Sequence, residues 1–136
     1  MDPITIIGLL ASITNLVHAS KSTIHLASRF RNGDSDLRTL SNDLLLFTEA
    51  LDGFDRILRS RQTTHRLSAP LIEGMLKDAS SVVTQLEKQL EKIGASSAST
   101  VRRMRWVQQS NSITKLHDRL KELNSMLQTF LSIAHT

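Results

Sequence analysis

Five histidines are the side chains of this 136-residue chain best suited to chemistry: His18, His25, His65, His117 and His135. A helical metal site needs two of them four residues apart on one face. No pair has that spacing, and His18 and His25, seven apart, stand two turns from each other, too far to share an ion. There is no Cys, which removes thiolate zinc sites, disulfides and a cysteine nucleophile. The chain contains no glycine-rich phosphate loop, no His-Glu-x-x-His pair and no Gly-x-Ser-x-Gly elbow. A di-metal centre inside a helix bundle needs inward-facing Glu and Glu-x-x-His, and the inward positions identified below are apolar. The residues therefore predict no enzymatic activity, no metal and no cofactor.

Two basic clusters remain. Arg56, Arg59, Arg61 and Arg66, with His65, surround one interhelical connection. They either face an anionic membrane surface, where each adds about 1 kcal/mol, or Arg56 and Arg59 pair with Asp52 and Asp55 on the same helix. The second cluster, Arg102-Arg103-Met104-Arg105, precedes Trp106, the single tryptophan, with Lys88 and Lys92 as candidate neighbours. It either binds phosphate or caps one end of the fold; Val101, Met104 and Val107 around Trp106 favour the cap, with the indole packed inward. The net charge of +4 is a mild excess, and four Phe, one Trp and no Tyr offer few stacking platforms. Both observations speak against nucleic acid as a partner.

The elements that must carry these groups are helices. Asp2 as cap and Pro3 at the first helical position start a helix that can run from 3 to about 31, where Asn32-Gly33 stops it. Asp34 or Ser35 caps a second, 35–61, in which Leu37, Leu40, Leu44, Phe47, Leu51, Phe54 and Leu58 repeat at 3-4 spacing. A third, 68–93, carries a stripe of Leu71, Met75, Ala79, Val82, Leu86, Leu90 and Ile93, with Ile72 and Val83 beside it. Then come a short basic helix, 101–108, a polar break at Gln109-Ser110-Asn111-Ser112, and a last helix, 112–134. Its seam is Ile113, Leu116, Leu120, Leu123, Leu127, Phe130 and Ala134. Seams of this spacing favour crossing angles of about 20°. Short connections favour antiparallel neighbours. The expected fold is all-α: a single domain over 1–136, an antiparallel up-down four-helix bundle. It has a long hydrophobic N-terminal helix and a short basic helix or kink before the last one.

The first helix is unlike the others. From Pro3 to Ser20 it has no charged residue, a run of eighteen positions. Asp2 stands where a secretory leader has basic residues, and no cleavage box follows. The run is at the lower limit for a membrane span and contains Thr5, Gly8, Ser12, Thr14, Asn15 and His18. At 100° per residue, Ile6, Leu9, Leu10, Ile13, Leu16 and Val17 fall within an arc of about 120°, extended by Ile24 and Ala27. Ile4, Ile7 and Ala11 fall on the opposite side. A bundle buries one face of each helix, so these three are surplus. They are covered by a loop or a further domain, or they dock onto a membrane or another subunit. Gly8 and Ser12 form a small-x-x-x-small pair that permits close helix approach.

The segment Met1 to Ile13, with its Asp-Pro-hydrophobic opening and small-residue-rich apolar helix, resembles the N-terminal domains of fungal NOD-like (STAND) receptors. Val101-Arg102-Arg103-Met104-Arg105-Trp106-Val107, followed by the heptads from Ile113 to Leu127, looks like the basic-Trp brace of the same HeLo-like group. The resemblance spans essentially the whole chain. It implies a cell-death-inducing module of innate immunity or heterokaryon incompatibility, the N-terminal part of a longer protein with a downstream receptor or amyloid-signalling domain. Clustering would release the first helix, Ile4 to Val17 with Gly8 and Ser12 as its small positions, into the plasma membrane. The implied protein is cytoplasmic until activated, self-associates and binds anionic lipid. The alternative is an oligomerising signalling adaptor that never meets lipid.

Overall fold

A computed structural model describes residues 2–29, 35–60, 67–94 and 99–135. They form four helices: α1 (Pro3–Ser28), α2 (Ser35–Ser60), α3 (Ala69–Gly94) and α4 (Ser99–His135). No strand occurs among the described residues. The start of α1 is built as its sequence implies. Asp2 has extended backbone (φ −79°, ψ 162°), and its carboxylate Oδ1 accepts the Thr5 N–H at 2.7 Å, while Pro3 occupies the first turn. α1 ends at Ser28, short of the expected boundary near 31; Asn32-Gly33 and Asp34 lie outside the described residues, as does Arg61. At α3 the Ser68 carbonyl accepts the Ile72 N–H at 3.1 Å, the first intrahelical bond.

The expected short basic helix and polar break are not formed. α4 is one helix of 37 residues. Ser110, within the supposed break, and Thr114, just beyond it, donate their hydroxyls to the carbonyls of Val107 (3.1 Å) and Ser110 (2.9 Å). Such back-bonding satisfies the side chain inside the helix, so a polar run need not end it. α4 is about 56 Å long against about 39 Å for each of the others. Its buried positions begin at Ile113, and from Thr100 to Ser112 every residue stays at least partly exposed.

The helices pack as α1–α2, α1–α3, α3–α4 and α2–α4. α2 and α3, consecutive in the chain, are therefore not a principal packed pair, contrary to the expectation that short connections make neighbours. The eight residues between Ser60 and Ala69 can reach about 26 Å. A square of helices about 10 Å apart has a diagonal well within that reach.

One core runs through the square. All seven seam residues of α2 are buried, and the Phe54 and Phe130 rings lie 6.3 Å apart between α2 and α4. α3 contributes Ile72, Met75, Leu76, Ala79, Val82, Val83, Leu86, Leu90 and Ile93. Leu71, expected in that stripe, is 62% exposed. The actual seam passes through Ile72 and Met75, which leaves Leu71 about 100° round the helix on its flank. On α1 the core face starts with Ile6, Leu9, Ile13 and Leu16 and continues as Ser20, Thr23 and Ala27, all buried.

Candidate functional site

The outer face of α1 is the least explained surface of the fold. Ile4 is 83% exposed and Ile7 63%, and Ala11 is exposed beside them. The three positions form one strip directly opposite the buried Ile6-Leu9-Ile13-Leu16 face. Gly8 and Ser12 are exposed too; Gly8, one turn on from Ile4, adjoins the strip, and Ser12 lies toward α3. A Cβ at Gly8 would meet nothing within 4 Å, so no internal close approach requires that glycine. Ser12 borders a groove of about 310 Å³ shared with Glu73, Lys77 and Ser80 of α3. The structure thus gathers Ile4, Ile7 and Ala11 with Gly8 beside them, and sets Ser12 to one side.

Asp2 caps the start of the helix that carries this strip. The Thr5 N–H, and secondarily the Thr5 hydroxyl, hold its carboxyl below the ordinary aspartate value. Among the described residues α1 is the one helix long and apolar enough to cross a membrane by length and composition, a test that core helices of soluble proteins also pass. Only 28% of its most apolar stretch is buried, so it is not an internal helix wrapped on all sides.

Of the four arginines singled out near the α2–α3 connection, Arg61 and Arg66 lie outside the described residues. Arg59 donates from Nε to Asp55 at 2.8 Å, the helix-surface pair expected as one alternative. That contact raises the Arg59 pKa. Arg56 is exposed and stands on the rim of a groove between α2 and α4 of about 530 Å³. The groove is floored by Leu46, Ala50, Gly53, Ile57 and Leu131, and Asn124, whose buried Oδ1 accepts no hydrogen bond, also lines it.

The second basic cluster acts at the far end of α3. Arg105 donates from Nη1 to the Lys92 carbonyl at 3.1 Å. That carbonyl belongs to the last turn of α3, whose acceptors have no helical partner, so the cation caps the helix and opposes the negative end of its dipole. Trp106 packs partly buried against the core. Met104 and Val107 remain 59% and 69% exposed.

Polar ties connect α4 to its neighbours. His117 Nε2 and Asp43 Oδ2 lie 2.6 Å apart between α4 and α2, with His117 largely buried. Arg119 joins Asp78 of α3 and Glu122 of α4, which together raise its pKa, Glu122 first. Sequence reasoning missed the His117–Asp43 pair, because nothing in the seam spacing marks Asp43. It also missed Ser20 and Thr23 as core residues and the α2–α4 groove. The seam period itself, carried on from Leu16, points to positions 20, 23 and 27. Among the described residues no cluster of three or more His, Asp or Glu could hold a metal ion. No family model, curated protein or solved structure matches this chain.

Proposed function

We propose that this chain is a non-enzymatic effector module that self-associates and acts on an anionic membrane through α1, as its resemblance to fungal HeLo-like domains implies. The observation that carries the reading is the 83% and 63% exposure of Ile4 and Ile7 opposite the core face of the same helix. In this reading the helices run up-down-up-down. Ser22 of α1 reaching Glu87 of α3, and Asp43 and Phe54 of α2 meeting His117 and Phe130 of α4, support it. The start of α1 then lies at the same end as the α2–α3 connection, with Arg56 and Arg59 beside it and Arg61 and Arg66 next in the chain.

The magnitudes require clustering. Burying Ile4 and Ile7 in lipid contributes about 1.5–3 kcal/mol each, and a nearby arginine about 1 kcal/mol. One copy therefore binds a membrane weakly and reversibly; several linked copies bind with avidity. The protein waits in the cytoplasm and moves to the plasma membrane when a downstream receptor or amyloid-signalling domain gathers it. Its role is cell death in fungal immunity or incompatibility.

The second reading is an oligomerising adaptor of a NOD-like receptor with no membrane activity. The open space around Gly8 favours it, because another protein helix could approach there. Dye release from anionic vesicles separates the two. The membrane reading expects clustered protein to empty the vesicles. Intact vesicles beside self-associated protein would leave the adaptor.

A further inference from the structure

The outward side of α1 carries a second series with the same period as its core face. The buried series runs from Ile6 through Leu9, Ile13, Leu16, Ser20 and Thr23 to Ala27, at intervals of three and four residues. Two residues earlier, Ile4, Ile7 and Ala11 are followed at the same intervals by Thr14, His18, Lys21 and His25, and every one of these is exposed. Two residues turn a helix by about 200°. The outer series therefore stays opposite the core along the whole of α1, a straight ridge about 32 Å long from Ile4 to His25.

The ridge is graded along its length. Its first three positions are apolar. At the fourth, Thr14 donates its hydroxyl to the Leu10 carbonyl at 3.0 Å, so its polar atom is satisfied within the helix. The remaining positions are His18, Lys21 and His25, and Arg29 stands exposed at the C-cap. α1 has no carboxylate from Pro3 to Ser28. Glu87 of α3 reaches the edge of the ridge, where it accepts from Ser22. A face that is apolar at one end, basic at the other and without an acid of its own complements an anionic bilayer surface.

We propose that α1 docks lengthwise on anionic lipid while it remains packed in the bundle. Ile4, Ile7 and Ala11 enter the acyl boundary, and His18, Lys21, His25 and Arg29 meet the headgroup phosphates. This pose rests on the membrane action proposed for the chain and specifies how the lipid is met. The opposite pose releases α1 as a membrane span. Release would strip Ile6, Leu9, Ile13 and Leu16 from the core that they share with α2 and α3, and would carry Asn15 and His18 into hydrocarbon. Lengthwise docking keeps that core closed and leaves those polar groups at the water interface.

The chain has no cysteine, so single introduced thiols can carry an environment-sensitive fluorophore at chosen places. Ala11→Cys, Thr14→Cys and His25→Cys put it along the ridge, and Ser125→Cys puts it on the exposed side of α4. Clustered protein is mixed with vesicles of phosphatidylcholine and phosphatidylserine. Emission from the three ridge labels should shift to the blue. It should be quenched more by lipids spin-labelled near the headgroup than by lipids labelled deep in the chain. The Ser125 label should not respond. Lys21→Gln combined with Arg29→Gln should weaken binding to these vesicles about tenfold or more, with the melting temperature unchanged within a few degrees. Stronger quenching of the Thr14 label by the deep spin label means that α1 has inserted; it overturns lengthwise docking and leaves the membrane reading standing. An equal response at Ser125, or unchanged binding by the double variant, overturns the assigned face. Clustered protein that binds no vesicle sinks the membrane reading itself.

Discussion

α1 and α2 are both 26 residues long and lie side by side, yet they are held in different ways. α2 buries an unbroken series of large side chains from Leu37 to Leu58 and is tied to α4 by the Asp43–His117 contact. α1 buries large residues only in its first half. From Ser20 onward its core face is Ser20, Thr23 and Ala27, and the Ser20 hydroxyl faces the interior without a partner, as does that of Ser41 on α2. One side-chain tie of α1 to another helix is the long Ser22–Glu87 contact at 3.5 Å. α2 spends its apolar residues mainly on the core. α1 divides its own between the core and the outside. The difference teaches that the most hydrophobic helix need not spend all of its apolar residues on the core.

The largest test of that contrast is a charge on each face of α1. Ile13 is 1% exposed, so Ile13→Asp buries an unpaired carboxylate and should unfold the bundle, a loss of several kcal/mol read by circular dichroism. Phe54→Ala on α2 should cost about 3–5 kcal/mol, because it opens a cavity and removes the ring that Phe130 packs against; urea denaturation measures it. Ser20→Ala removes a buried hydroxyl that has no partner. It should be neutral or stabilising by up to about 1 kcal/mol, whereas a loss above that would show that Ser20 is hydrogen-bonded in solution. Ile7→Asp, on the exposed strip, should change stability by less than about 0.5 kcal/mol.

The smallest effect concerns the start of α1. The Asp2 carboxyl is held below its unfolded value by the Thr5 N–H. Its contribution is therefore complete above the unfolded pKa and fades as pH falls through the lower, folded one. Melting temperatures recorded through the acidic range should show a component that Asp2→Asn removes.

Much of the fold was legible in the sequence because 3-4 spacing is a direct image of helix geometry. Every seam residue expected on α2 is buried. The failures have physical causes. Leu71 is apolar but sits one position off the seam, and residue type alone does not fix the angle. The polar run at Gln109 to Ser112 reads as a break, yet hydroxyl back-bonding accommodates it. The order of helices round the square depends on how far a connection can reach, which a seam does not encode. On the candidate site, the exposed strip of α1 follows from periodicity. The groove does not, because it is formed by two helices whose adjacency no local pattern reveals.

The most direct test of the central claim is dye release from anionic vesicles by clustered wild-type protein and by Ile7→Asp at equal concentration. The account predicts rapid release by the wild type and little or none by the variant, with the two melting at the same temperature within a few degrees. Equal release by both would contradict the role assigned to the outer strip of α1, and no release by either would contradict action on a membrane.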